Sequence, residues 1–337
     1  MNTMPHNVAL PAEVKLLGPD DEVVLRFADQ LDAIWPDGMA DPEARLGIAV
    51  SGGPDSCALL LLAHSVLPGR VEAATVDHGL RSESAAEAEF VASLCERLGV
   101  PHRTFTVEVR QGNVQSQARA ARYDALEQWA KERGLHAVAT AHHADDQAET
   151  FLLRLNRGSG VSGLAGVRAR GVIPGGQTVL VRPLLGWRRE ELGLIVEQAG
   201  LAAVQDPSNL DDRFDRVRMR KALASASWLD VPAIAQSASH LADADFALEW
   251  AARIEWDRCV RKEGLGVAYR PRAPRAIAMR VLARVVREMD GEEPRGGAIA
   301  NVYDALISGQ PISIGDLVAR AGPGGWQFTK APKRKQR

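Results

Sequence analysis

Ser51-Gly52-Gly53-Pro54-Asp55-Ser56 places two glycines, two hydroxyls and a carboxylate within six residues. The apolar run Ile48-Ala49-Val50 precedes it, and a run of helix formers from Cys57 to Ala63 follows. That order reads as strand, glycine turn and helix. Such a turn aims backbone N–H groups and a helix N-terminus at one point, which suits a phosphate. Ser51 and Ser56 add hydroxyl donors. The G-K-[ST] ending of a Walker loop is absent, so no lysine here reaches the outer phosphates. The expected chemistry is therefore not ordinary γ-phosphoryl transfer. A plain strand-to-helix turn would need fewer glycines and serines than this one has.

A second group is His142-His143-Ala144-Asp145-Asp146-Gln147-Ala148-Glu149, with two histidines and three carboxylates. If a helix starts near Ala144, His142 lies at its lip and Asp145 and Glu149 stack at i, i+4. Carboxylates beside a phosphate site hold magnesium or place an attacking amine. A zinc site remains an alternative, and dipole-complementing acids at a helix start account for one carboxylate only. Asp77, in Val76-Asp77-His78-Gly79-Leu80-Arg81, could meet a ribose or an adenine edge; a simple helix start explains it equally well. Arg122, in Arg119-Ala-Ala-Arg122-Tyr123, could reach a phosphate, although a lone helical arginine defaults to the surface. Gln205-Asp206-Pro207-Ser208-Asn209 precedes Arg213, Arg216 and Arg218, a turn and basic helix able to meet a nucleic-acid backbone. Gly158-x-Gly160-x-x-Gly163 matches a dinucleotide fingerprint literally. It follows an expected helix and has no acid about 20 residues on, so it reads instead as a flexible loop carrying Arg157 and Arg168.

These groups need a scaffold that brings them together. Strands are expected over 46–50, 71–76, 102–107, 136–141 and 178–181. Helices are expected over 21–34, 55–67, 84–98, 114–133, 144–156 and 190–199, with Ser84 and Glu87 forming a capping box. This alternation implies an α/β fold, a doubly wound and mostly parallel sheet covered on both faces. Ligands of such sheets bind at the carboxyl ends of strands, where the Ser51 loop, Asp77 and His142 all fall. From about residue 228 the pattern turns mainly helical, over 235–263, 276–289 and 298–308. The expected organisation is an N-terminal extension 1–44, a catalytic domain 45–227, a smaller helical C-terminal domain 228–329 and a basic tail 330–337.

Among the 337 residues, 46% are hydrophobic and 25% charged, as in soluble globular chains. No apolar run approaches the roughly 18–20 residues of a membrane span, and the N-terminal segment does not read as a signal peptide. The three cysteines, Cys57, Cys95 and Cys259, lie far apart with no C-x-x-C pair. That argues against an iron–sulfur or zinc site and fits the cytoplasm. Net charge is −2, yet seven arginines and no acid lie between Phe151 and Arg189. A second basic cluster spans Arg213 to Lys221, and Lys330, Lys333, Arg334, Lys335 and Arg337 crowd the tail. Segregated basic patches can grip a polyanion on a chain with little net charge.

Taken in order, SGGPDS, VDHGLR, ARAARY, AHHADDQAETFLLRLNRGSG, RPLL and DPSN followed by arginines resemble the tRNA(Ile)-lysidine synthetases of the PP-loop (N-type ATP pyrophosphatase) superfamily. The likeness runs from about residue 46 to 220, and the AHHADDQAETFLLRLNRGSG stretch with its RGSG end carries most of its specificity. The resemblance implies that ATP adenylates C2 of the wobble cytidine in a CAU anticodon of tRNA(Ile), and that the amine of free L-lysine then displaces AMP. It implies ATP contacts by Ser51, Gly52, Gly53, Pro54, Asp55, Ser56, Asp77 and His142. It implies catalytic roles for Asp55, Arg122, Asp145 and Asp146, with Mg²⁺ on Asp55 and Asp146. No membrane is involved, and a homodimer is compatible with it. Asp215 stands where an R-N-R-x-R run would carry asparagine, which questions a contact by that side chain. A PP-loop tRNA 2-thiolase is the competing enzyme class, which the missing C-x-x-C pairs oppose. A non-catalytic tRNA- or nucleotide-binding module is the third reading, which Ser51, Asp55, Ser56, Asp145 and Asp146 oppose.

Overall fold

The computed structural model describes residues 14–77, 83–107, 114–202, 215–291, 294 and 296–331. The chain divides into two units, Met1–Leu241 and Ala242–Arg337. The first contains α1 (Glu22–Ile34), α2 (Pro36–Ala40), β1 (Leu46–Ala49), α3 (Pro54–Val66), β2 (Val71–Asp77), α4 (Glu83–Leu98), β3 (His102–Thr106) and α5 (Val114–Arg133). It continues with β4 (Ala137–Ala139), α6 (Ala144–Asn156), α7 (Val161–Leu164), β5 (Arg170–Val172), β6 (Val179–Val181), α8 (Arg189–Gln198) and α9 (Asp215–Ser225). α10 (Val231–Cys259) starts in the first unit and ends in the second. The second adds β7 (Val260–Glu263), β8 (Gly266–Tyr269), α11 (Arg275–Asp290), α12 (Gly296–Ile307), β9 (Ile312–Ile314), β10 (Leu317–Gly322) and β11 (Gly325–Lys330).

Six strands of the first unit form one sheet in the order β3-β2-β1-β4-β6-β5. All neighbours are parallel except β5, which runs antiparallel to β6 at the edge. Leu46, Gly47 and Ile48 of β1 are all buried, as a strand covered by helices on both faces requires. Every residue of α3 from Ser56 to Ala63 is buried too. A helix apolar all round must be enclosed, and α3 packs between the sheet and the outer helices α1 and α8. Gly47 permits this packing on the other face: a Cβ there would fall 2.8 Å from Trp129 and 2.7 Å from Leu135.

Glu127 ties α5 to the turn that enters β6. Its carboxylate accepts the N–H groups of Gln177 at 2.9 Å and Thr178 at 3.1 Å, and Lys131 lies 3.0 Å away. Burial opposes its charge, but these donors hold its pKa down at about 2. A depressed carboxyl contributes stability above its unfolded value near 4.5 and loses it as pH falls through the folded value. Glu127→Gln is expected to cost about 1–3 kcal/mol at pH 7 in urea denaturation. The gap to wild type should narrow below about pH 4.5; a gap of equal size at pH 7 and pH 3 would rule out the charged contact as its source.

The mainly helical reading of the C-terminal region needs correction. α11 and α12 are there, and α11 buries Ile277, Ala278, Val281, Leu282, Val285 and Val286 along one stripe. A five-stranded antiparallel sheet in the order β7-β8-β11-β10-β9 accompanies them. The helix expected over 235–263 stops at Cys259, and its last residues become β7. Trp326 on β11 seals the core, its ring edge-to-face with Tyr269 and Tyr303 at 5.6 Å each.

Candidate active site

β1 delivers the chain to residues 50–53 and then to α3. Gly52 takes φ +86°, which any side chain would strain. Gly53 is the N-cap of α3 and offers no side chain to its first N–H groups, while Pro54 occupies the first turn. The helix end therefore keeps its donors for an anion. Ser56 Oγ donates to Gly53 O at 3.0 Å, accepts Ser51 N–H at 3.1 Å and lies 3.2 Å from Ser51 Oγ. Ser56 thus shapes the loop from inside, and Ser51 is its exposed hydroxyl.

The sheet order makes this position special. From β1 the chain proceeds outward to β2 and β3, whereas β4 lies on the other side of β1 and leads to β6. The carboxyl ends of β1 and β4 thus flank the topological switch point, where open α/β sheets bind their ligands. Thr140 to His143 follow β4 and open α6 there. Asp77 closes β2 on the same rim.

His143, the N-cap of α6, is the hub of the carboxylates. Its Nε2 lies 3.4 Å from Asp55 Oδ2 and 3.5 Å from Asp146 Oδ2, and its Nδ1 lies 3.5 Å from Asp145 Oδ2. Its backbone N–H donates to Asp146 Oδ2 at 3.2 Å. Burial disfavours the imidazolium, but Asp145, Asp55 and Asp146 together push its pKa up to about 9. The sequence names both histidines of this group but gives a role to His142 alone. His142 behaves oppositely: burial first, then Arg182, Arg122 and Arg119, bring it down to about 3 against the pull of Asp146. Thr140 Oγ1 holds its Nδ1 at 3.0 Å.

The four acids separate into roles. Asp145 accepts the Arg189 backbone N–H at 2.9 Å, at the start of α8, and faces Arg188 Nη2 at 3.2 Å. Burial works against its charge, yet His143, that N–H and Arg188 hold it well below the carboxylate range. Glu149, 1% exposed, accepts Arg220 Nε from α9 at 2.7 Å. The expected i, i+4 stack of Asp145 and Glu149 thus resolves into two separate arginine partnerships. Asp55 and Asp146 share one imidazole nitrogen, and Asp55 Oδ1 and Glu149 Oε2 are buried without a donor. Hard oxygen acceptors of this kind fit Mg²⁺ or an ammonium group.

The basic side of the rim is equally concrete. Tyr123, buried on α5, takes Arg119 Nη2 at 3.4 Å. The guanidinium carbons of Arg119 and Arg122 lie 5.1 and 5.4 Å from its ring centre. Asp215 pairs with Arg157 at 2.9 Å and with Arg218, so it neutralises two arginines of the basic cluster. The glycine-rich stretch from residue 158 is pinned by α6 rather than loose. Gln147 donates to Val167 O at 2.8 Å and accepts Val167 N–H at 2.7 Å, while Arg154 donates to Gly163 O at 2.6 Å. His78 to Arg81, Gln205 to Asn209, Arg213 and the tail from Lys333 lie outside the described residues, as does the side chain of Ser84.

A glycine loop at the switch point of a parallel sheet, with an uncapped helix end and no lysine, defines a PP-loop nucleotide-binding domain. The PP-loop domain family model matches residues 24–227. A tRNA(Ile)-lysidine synthase of Novosphingobium aromaticivorans is 48% identical over 95% of this chain and 98% of its own. One from Zymomonas mobilis is 42% identical over 87% and 90%. A solved U34-tRNA thiolase, NcsA from Methanococcus maripaludis with its [4Fe-4S] cluster, covers 65% of this chain and 78% of its own at TM-score 0.53 and 17% identity, a likeness of fold alone. The chain belongs to the tRNA(Ile)-lysidine synthase family.

Proposed function

We propose that this chain joins free L-lysine to C2 of the wobble cytidine in the CAU anticodon of tRNA(Ile), at the expense of ATP. The observation that carries this reading is the 48% identity to a lysidine synthase over nearly the whole of both chains. The site chemistry agrees with it. The cytidine C2 oxygen attacks the α-phosphorus of ATP and pyrophosphate departs. The lysine amine then attacks C2, and AMP leaves with the C2 oxygen. Ser51 and the N–H groups around Gly52, Gly53 and Pro54 grip the departing phosphates, with Ser56 holding the loop's shape. Asp77 and His142 face the nucleoside side of the rim.

Asp55 and Asp146 would hold Mg²⁺, which neutralises phosphate charge when bound. The same acidic pocket, with Glu149, would receive the ammonium of lysine. Asp145 orients His143, and Arg122 stabilises charge developing on phosphate. The basic stretches of the first unit would meet RNA phosphates while single-stranded anticodon bases enter the site. The cysteines oppose a thiolase: burial pushes Cys57 and Cys95 up to about 12, so neither is a ready thiolate. Among the described residues no helix is long and apolar enough to cross a membrane. We place the reaction in the cytoplasm.

The test is incubation with a tRNA(Ile) transcript bearing CAU, labelled lysine, ATP and Mg²⁺. Label in that tRNA and not in tRNA(Met) is expected. No label, or equal labelling of both, would overturn the reading. Neutralising Lys333, Arg334 and Lys335 together should weaken tRNA binding and reduce the slope of log K against log salt by about two to three. An unchanged slope would assign the tail no phosphate contacts.

A further inference from the structure

Arg182 directly follows β6 and is 8% exposed, so more than nine-tenths of it is buried. Its Nη1 donates to Arg168 O at 2.7 Å, and its own N–H is fixed on Ala169 O at 2.8 Å. Its Nε is buried with no acceptor. No carboxylate among the described residues pairs with Arg182, Arg119 or Arg122. Instead all three guanidinium groups turn towards the one phenol of Tyr123, which is 1% exposed. Next to them His142 is held neutral, for burial and these arginines deny it a proton. Burying one guanidinium with an unmet N–H is costly, and gathering three without an anion is more so. Groups held this way beside a phosphate loop are completed by an anion with several acceptor oxygens.

We propose that Arg119, Arg122 and Arg182 form a single phosphate-binding site beyond the carboxyl ends of β4 and β6, with Arg182 Nε a direct ligand and Tyr123 the positioning residue that gathers them. The inference rests on the nucleotide- and RNA-handling reading above, which already gives Arg122 a phosphate, and adds Arg182, Arg119 and the positioning by Tyr123. The chemistry is that of a phosphate group, supplied by the nucleotide's phosphate chain or by the RNA backbone. Tyr123 is suited to its part because its hydroxyl is both donor and acceptor and its ring face attracts cations. Phenylalanine would keep the ring and lose the common hydrogen-bond centre.

The experiment uses the full chain as wild type, Arg182→Met, Arg182→Lys and Tyr123→Phe. Each is titrated with ATP, with inorganic pyrophosphate and with unmodified tRNA(Ile) transcript at several salt concentrations, alongside thermal melting. A ligand that binds only the folded state raises the melting temperature. Pyrophosphate is expected to raise that of wild type and to raise that of Arg182→Met far less. If the phosphate is the nucleotide's, Arg182→Met should bind ATP and pyrophosphate at least tenfold more weakly. If it is the RNA's, tRNA binding should weaken and its salt slope fall by about one. Tyr123→Phe should show a smaller loss for the same ligand, as a raised KM, with its melting temperature near wild type. Arg182→Lys should recover part of the binding without recovering all of it.

Wild-type affinity for ATP, pyrophosphate and tRNA in folded Arg182→Met would overturn the proposal. If Arg182→Met does not fold, wild-type affinity for all three in Arg182→Lys and Tyr123→Phe would overturn it. Failure of wild type to form lysidine, with phosphate binding still dependent on Arg182, would sink the lysidine reading and leave the site standing.

Discussion

Asp55→Ala is expected to stop pyrophosphate release, with a fall of at least about 10³-fold in the rate of cytidine adenylation, while the fold survives. Asp55 sits in the first turn of α3, where the uncapped helix end and the glycine loop meet. One of its oxygens is 3.4 Å from His143 Nε2, and the other is buried without a donor. Among the described residues it is thus the carboxylate that joins the phosphate loop after β1 to the acidic cluster after β4. Removing it deletes an oxygen that no neighbour replaces. Asp55 caps nothing; its loss gives up a favourable place at the positive end of a helix, worth about 0.3–1 kcal/mol, and one of three carboxylates around His143, which Asp145 and Asp146 still hold. Release of labelled pyrophosphate, followed beside a thermal melt, checks both halves. A rate within threefold of wild type in a folded Asp55→Ala protein would remove Asp55 from the machinery. Asp55→Asn sharpens the test, since it keeps the shape and removes only the charge.

The ability to read this site from sequence followed the physics of each feature. The loop at Ser51 was legible because two glycines between a buried strand and a buried helix leave few other readings. The strands and helices around it were legible because the central strands β1 and β4 are continuously apolar and the helices between strands are long. His143 was not legible. Both histidines follow the same strand, and only the backbone turn at the α6 N-cap decides which ring enters the carboxylates and which faces Arg122 and Arg182. The division of labour among the acids was hidden likewise. Arg188, Arg189 and Arg220 lie far along the chain, and pairing at that distance leaves no local pattern. The strands of the second unit were missed because they run only three to six residues and their glycine turns resemble loops. β5 was lost for the same reason within a glycine-rich stretch, and Arg170-Gly-Val shows no alternation to betray it.

Arg220→Met should produce the largest loss of stability, about 3–5 kcal/mol, because it strands Glu149 as a buried and uncompensated charge. Glu149 is 1% exposed, Arg220 Nε is its donor at 2.7 Å, and its second oxygen has none. Burial disfavours the charge on Arg220, but Glu149 first, then Asp146 and Asp55, raise its pKa, so the guanidinium belongs to the electrostatics of the whole acidic cluster. The same pair docks α9, and with it the basic helix from residue 215 to 225, onto α6. Packing and catalysis make different predictions for the double change. Replacing Glu149 by leucine in the Arg220→Met background removes both charges, and such swaps of a buried pair are often neutral or stabilising. Urea denaturation should therefore show stability recovered, largely or in full. Lysidine formation should not recover, because the acidic pocket has then lost the acceptor proposed above to receive the lysine ammonium. If activity returned together with stability, Glu149 would be no more than the anchor of α9, and the amine would have to be held by Asp55 and Asp146 alone.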